Sequence, residues 1–160
     1  MAITIRKITQ ADNIATASMI RTVLREFKVD RPGTVYTDPT TDDLSTLFEH
    51  PKSAYWLAEE DGAIIGGCGI YPTDGLPDGC VELVKFYALP ASRGKGIGRM
   101  LMEKSIESAQ QFGYNEIYLE SFPELAKAIT MYEKAGFKKL AGPMGNSGHY
   151  ACNIWMLLVL

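Results

Sequence analysis

The alternating polar and apolar positions of Ile3-Thr4-Ile5-Arg6 soon give way to a different rhythm. Ile14, Ala17, Met19, Ile20, Val23, Leu24 and Phe27 recur at helical spacing, so a strand over 3–8 leads through Thr9-Gln10-Ala11-Asp12 into a helix ending near Phe27. Pro32, Gly33 and Pro39 mark 28–39 as a loop, and Asp42 or Asp43 starts a shorter helix through Leu44, Leu47 and Phe48. Two runs rich in strand formers, 53–59 and 64–71, flank Asp61-Gly62, a dipeptide suited to a tight hairpin turn. After a Pro/Asp/Gly turn over 73–79, residues 80–89 form a strand that is apolar or β-branched on both faces. A helix follows from Ile97 to about Phe112, with Ile97, Met100, Leu101, Ala109 and Phe112 toward the core and Gly113 as its stop. A strand over 116–121, a helix over 124–135 ended by Gly136, and strands over 137–140 and 151–160 complete the chain. The order β-α-α-β-β-β-α-β-α-β-β predicts an α/β fold with a mixed sheet, not a doubly wound parallel one.

The 160 residues suit one domain spanning 1–160, and 46% hydrophobic with 22% charged residues is a globular composition. No apolar run approaches the roughly 18–20 residues that cross a bilayer. The polar start is not a signal peptide, and the apolar run 154–160 suits a buried last strand, so the expected location is cytoplasmic with no membrane partner. A net charge of −3 argues against nucleic acid. Cys68, Cys80 and Cys152 are odd in number and widely spaced, and His50 and His149 are far apart; neither set predicts a disulfide framework or a metal site. Against this acidic background, Arg93, Lys95 and Arg99 concentrate positive charge in one short stretch, which suggests a small anionic ligand.

Gly94, Gly96 and Gly98 alternate with those cations between a strand and a helix. Glycines there let several N–H groups converge on a ligand, and the following helix aims its N-terminal donors at the same point. Such a nest matches a diphosphate. The GxxxxGK[ST] spacing of a Walker loop is absent, and the third glycine comes one position too early for GxGxxG. The plainer reading is a glycine-rich connector with incidental charges.

Arg93-Gly94-Lys95-Gly96-Ile97-Gly98 resembles the [Arg/Gln]-x-x-Gly-x-[Gly/Ala] signature of the GNAT acetyltransferase superfamily. The strand before it ends in an aromatic-x-x-Pro phrase, Tyr87-Ala88-Leu89-Pro90, common in that family. Downstream, Ala128-Ile129-Thr130-Met131-Tyr132-Glu133-Lys134-Ala135-Gly136-Phe137 is similar to its second motif. The resemblance implies a mostly antiparallel sheet, splayed between the fourth and fifth strands and flanked by about four helices. It implies acetyl-CoA as co-substrate and no metal. The amides of Arg93, Gly94, Lys95, Gly96, Gly98 and Arg99, with Ile97 in the same stretch, would hold the pyrophosphate. Main-chain groups of Phe86-Tyr87-Ala88, chiefly of Phe86 and Ala88, would pair with the pantetheine arm as an added strand. An asparagine frequent before the second-motif alanine is absent; this chain reads Pro123-Glu124-Leu125-Ala126-Lys127.

Attack of an amine on a thioester requires a base for the ammonium and benefits from an acid for the departing thiolate. By resemblance Tyr132 is that acid, although Leu125, Ala128 and Tyr132 also form a helical face suited to a core. Also by resemblance, the Phe86 amide donates to the thioester carbonyl. The base candidate is Glu82, a carboxylate in an apolar strand, where burial would raise its pKa; a salt bridge to Lys85 or a solvent-facing position on the strand is the competing explanation. Its even spacing from Phe86 puts both on one face of a regular strand. His149, in the loop opening the last strand, is either a substrate contact, an alternative base or a surface residue. Arg31 and Tyr36 belong to the other loop expected on the acceptor side. The function expected is acetyl transfer to a primary amine of a small molecule by direct attack in a ternary complex. A peptide acceptor and a non-catalytic acyl-CoA-binding module are the alternatives. Many relatives dimerise, and nothing in this sequence compels it.

Overall fold

A computed structural model describes residues 2–160; Met1, which begins the alternating start, lies outside them. The elements are β1 (Ile3–Lys7), α1 (Asn13–Glu26), α2 (Leu44–Leu47), β2 (Ala54–Glu60), β3 (Ala63–Tyr71) and β4 (Cys80–Ala88). They continue with α3 (Ile97–Gln111), β5 (Glu116–Ser121), α4 (Ala126–Ala135), β6 (Lys138–Lys139) and β7 (Ile154–Val159). One seven-stranded sheet runs β1-β2-β3-β4-β5-β7-β6. Every neighbouring pair is antiparallel except β4–β5, which the α3 crossover makes parallel. The expected mixed sheet and four helices are present.

Local chemistry explains the first half. Asp12 accepts from the Thr9 N–H at 2.8 Å and from both terminal nitrogens of Arg6 at 2.8 and 2.9 Å, tying β1 to the start of α1. The Arg6 hydrogen bond, outweighing burial, pulls the Asp12 carboxyl down to about 2. Asp61 and Gly62 take φ of 51° and 82°, and Glu60 pairs with Ala63, so the β2–β3 turn has two residues.

Each face of the sheet buries its own core. Val81, Leu83, Ile117 and Leu119 pack with Leu101 of α3 and Ile129 of α4 on one side. Tyr55, Leu57 and Tyr87 pack with Ile20 and Leu24 of α1 and Leu44 of α2 on the other. Ile14 and Met100 are corrections to the expected core: they are 87% and 38% exposed. At 3.6 residues per turn both fall off the buried stripe of their helices, Thr16–Leu24 and Ile97–Ala109 respectively. The last two strands are also shorter than expected, because 140–153 is mostly loop.

The register between β3 and β4 shifts between Gly67 and Gly69, and opposite that shift Lys85 takes φ 52°. Small residues in β3 make room for the cause. A Cβ on Gly67 would lie 2.5 Å from the Tyr55 hydroxyl, and one on Gly69 would lie 2.6 Å from its ring. Tyr55 thus lies flat over β3 and donates to the Lys85 carbonyl at 2.6 Å, holding a bulge. The bulge resets alternation along β4. Val84 and Tyr87 both face the α1 side, whereas Leu83 and Phe86 face α3. Glu82 and Phe86 therefore lie on opposite faces, contrary to the regular-strand expectation. Parallel pairing of β4 with β5 covers only Cys80–Glu82 against Glu116–Tyr118, after which the strands part.

Candidate active site

The loop before α3 uses its glycines in two ways. Gly94 and Gly96 have φ of 82° and 77°, with open space where a Cβ would go. Gly98 has no such angle, but a Cβ there would lie 3.1 Å from Met131 Cε and 3.3 Å from Phe86 Cζ, so it lets α3 approach α4 and β4. The Met100 N–H donates to the Gly96 carbonyl at 3.1 Å, which leaves the N–H groups of Ile97, Gly98 and Arg99 as the free donors of the first turn. The three cations are not free. Arg93 bridges to Glu26 at 2.6 Å and to the Ala88 carbonyl at 2.7 Å, Lys95 to Glu60 at 3.2 Å and Arg99 to Glu103 at 2.8 Å. These pairs are exposed enough to be weak, on the order of 0–1 kcal/mol each, so an arriving anion can compete for the cations.

Beyond Glu82 the open edge of β4 faces the gap. The Leu89 N–H donates to Ile65 of β3 at 2.9 Å; strand alternation then turns the main-chain groups of Phe86 and Ala88 the other way, toward β5. The Ala88 carbonyl there is already taken by Arg93, leaving its N–H and both groups of Phe86.

A narrow cavity occupies the gap, lined by Glu82, Leu83, Phe86, Glu120, Ser121, Leu125, Tyr132 and His149 among others. Glu82 is 3% exposed and its Oε1 accepts from the Thr73 hydroxyl at 2.5 Å. Burial pushes its carboxyl up to about 7, against the Thr73 hydrogen bond and the charge of Lys85; the Glu120 charge adds to the rise. Lys85 does not pair with Glu82 but with Asp38, at 3.5 Å, and its burial lowers its pKa. Asp38 also meets His149 Nε2 at 2.7 Å. Burial would raise the Asp38 carboxyl, but His149, Lys85 and Thr40 together hold it below the usual carboxylate range. Tyr132 packs its ring 5.9 Å from that of Phe86 and 5.7 Å from that of Phe137, and burial holds its hydroxyl proton to well above the ordinary range.

Glu120, Asp38 and Thr73 join this site without a prior signal strong enough to select them. Glu120 could have been found by the reasoning applied to Glu82, a carboxylate in the apolar run Ile117-Tyr118-Leu119. It accepts from Tyr118 at 2.7 Å and from Ser147 at 2.5 Å. One atom each from Glu82, Glu120 and His149 lie within 4.8 Å of one another, a spacing a cation could bridge. Each of the three already has a hydrogen-bond partner, so the grouping is explained without a metal.

A second cavity of about 340 Å³ opens outward from His149, between 32–39 and 147–150. The Ala151 N–H donates to Gly33 at 3.1 Å, and Tyr150 leaves no room for a side chain on Gly33, so the two loops that line this cavity are stitched to each other. Of the three acceptor-side residues, only His149 lines either cavity. Arg31 lies over the Phe122 ring and bridges to Glu124 at 3.1 Å, and Tyr36 is flanked by Arg21 and Arg25 of α1. Among the described residues no helix is long and apolar enough to cross a membrane.

Residues 19–137 match the Acetyltransferase (GNAT) family. The chain is 38% identical over 153 residues to the Uncharacterized N-acetyltransferase YjgM of Escherichia coli (strain K12), covering 95% of this chain and 92% of that one. An acetyltransferase of the GNAT family from Staphylococcus aureus Mu50 superposes with a TM-score of 0.87 at 20% identity, covering 99% of each chain. The PaiA N-acetyltransferase of Thermoplasma acidophilum, solved in complex with coenzyme A, superposes with a TM-score of 0.78 at 17% identity over the full length of both. The chain belongs to the GNAT acetyltransferase family and is an acyltransferase.

Proposed function

We propose that this enzyme transfers an acetyl group from acetyl-CoA to the primary amine of a small molecule, by direct attack in a ternary complex. The observation that carries the reading is the buried Glu82 carboxyl, poised near neutrality on the wall of the β4–β5 gap. In this reading the amides of 93–99 hold the donor's pyrophosphate, and its pantetheine arm runs along Phe86 and Ala88 into the gap. Glu82 takes a proton from the ammonium, directly or through water, the Phe86 N–H stabilises the tetrahedral oxyanion, and Tyr132 protonates the departing thiolate. That the Thermoplasma neighbour was solved in complex with coenzyme A supports the choice of donor. The outer cavity supports a small acceptor: about 340 Å³ between two loops stitched to each other is the scale of a small-molecule site.

The test is a panel of monoamines, polyamines, amino acids, aminoglycosides and peptides, with release of the CoA thiol as readout. Turnover with at least one small amine, well above that with every peptide, is expected. Turnover confined to peptides would sink the small-acceptor reading. CoA binding with no turnover for any amine would instead favour a non-catalytic module.

A further inference from the structure

Three buried side-chain hydroxyls among the described residues lack a hydrogen-bond partner: those of Thr16, Ser105 and Ser121. Thr16 and Ser105 lie inside α1 and α3, where rotation of the side chain reaches the carbonyl one turn back. Ser121 ends β5 and has no such carbonyl. It is 3% exposed, and it lines the cavity in the β4–β5 gap. Its backbone is fixed by pairing with Ile154 and by the Asn153 N–H, which donates to its carbonyl at 3.2 Å. Alternation along β5 puts its side chain with Ile117 and Leu119, on the face where Phe86 and Tyr132 also meet the cavity. Leu83, Phe86 and Tyr132 line the cavity on that face, whereas alternation puts Glu82 and Glu120, which also line it, on the other face of the sheet. A hydroxyl held in such a place without a partner is unfavourable until an acceptor arrives.

We propose that Ser121 is a donor-positioning residue, whose hydroxyl donates to a carbonyl oxygen of the pantetheine-thioester arm when that arm fills the gap. The proposal rests on the acetyl-CoA reading above. Carbonyl oxygens are the principal hydrogen-bond acceptors that an amide-and-thioester arm offers to a donor in the slot.

The experiment is calorimetric titration of the full chain with CoA and with acetyl-CoA, comparing wild type, Ser121→Ala, Ser121→Thr and Ser121→Val well below their melting temperatures. Thr and Val have nearly the same shape and differ in the hydroxyl, so their ratio separates hydrogen bonding from packing. Affinity should fall about three- to tenfold in Ser121→Ala, and Ser121→Thr should bind about three- to tenfold more tightly than Ser121→Val. A loss with both ligands places the carbonyl in the pantetheine; a loss with acetyl-CoA alone places it on the acetyl group. Wild-type affinity in Ser121→Ala, or equal affinity of the Thr and Val variants, overturns the Ser121 assignment alone. Failure of the wild type to bind either ligand overturns the donor reading and this inference with it.

Discussion

Glu82 carries opposing demands on one carboxyl group. Folding puts it where its proton is held to about pH 7, whereas an unfolded chain releases that proton near 4.5. The folded state is therefore favoured below 4.5 and loses that advantage progressively as pH rises through 7. Glu82→Gln keeps an oxygen to accept from Thr73 and removes the buried charge. At pH 8 the variant should be more stable than wild type, on the order of 2–3 kcal/mol, with the difference shrinking toward pH 5; denaturant melts at both values measure it. Turnover should move the other way. Wild-type kcat/KM should rise through about pH 7, whereas Glu82→Gln should be slow at neutral pH and partly recover in alkali, where the amine loses its own proton. Parallel pH profiles would remove Glu82 as base. The residue was legible in the sequence because a carboxylate among Val81, Leu83 and Val84 is costly without a use. Its surroundings were not: Thr73 reaches it from a loop, and Asp38 reaches Lys85 and His149 from another, and no local pattern places a loop residue against a distant strand.

At the scale of elements, helices and strands followed from periodicity, but the turning point of β4 did not. Alternation assumes one residue per step, and the Lys85 bulge breaks that count without any mark in the strand's own sequence. Its cause lies in other strands: Tyr55 of β2, two strands away, and the Gly66-Gly67-Cys68-Gly69 run of β3 that lets Tyr55 reach across. Tyr55→Phe should leave the Lys85 carbonyl buried without a donor, costing about 1–3 kcal/mol. Because the same bulge orients Glu82, Lys85 and Phe86 relative to one another, kcat should fall more than the acetyl-CoA KM rises. A thermal melt with steady-state kinetics checks both. An unchanged melting temperature would show that Tyr55 does not hold the bulge. The misplaced Ile14 and Met100 have a simpler origin: apolar identity alone does not select the buried stripe when a helix carries more apolar residues than its core face holds.

At the scale of the molecule, the sheet is two halves, β1–β4 and β5–β7, joined by three residue pairs at one end and open at the other. The resemblance implied the opening; the seam's shortness gives it a mechanical meaning. A donor bound as proposed would hydrogen-bond to the free edge of β4, touch Ser121 and Tyr132 across the gap, and cap the first turn of α3. It would then replace the strand pairing the gap lacks. Saturating CoA at about 100 times its Kd should stabilise the fold by about 2.7 kcal/mol. Hydrogen exchange locates the effect. The N–H groups of Phe86, Ala88, Ile97, Gly98 and Arg99 should slow most, because each gains an acceptor. Amides of β5 and β7 should slow together with them, because opening the gap would now require releasing the ligand. Protection confined to the α3 turn would mean that the pyrophosphate binds while the arm stays outside. In that case the β4–β5 opening is not the thioester slot, and Glu82, Ser121 and Tyr132 act on something else.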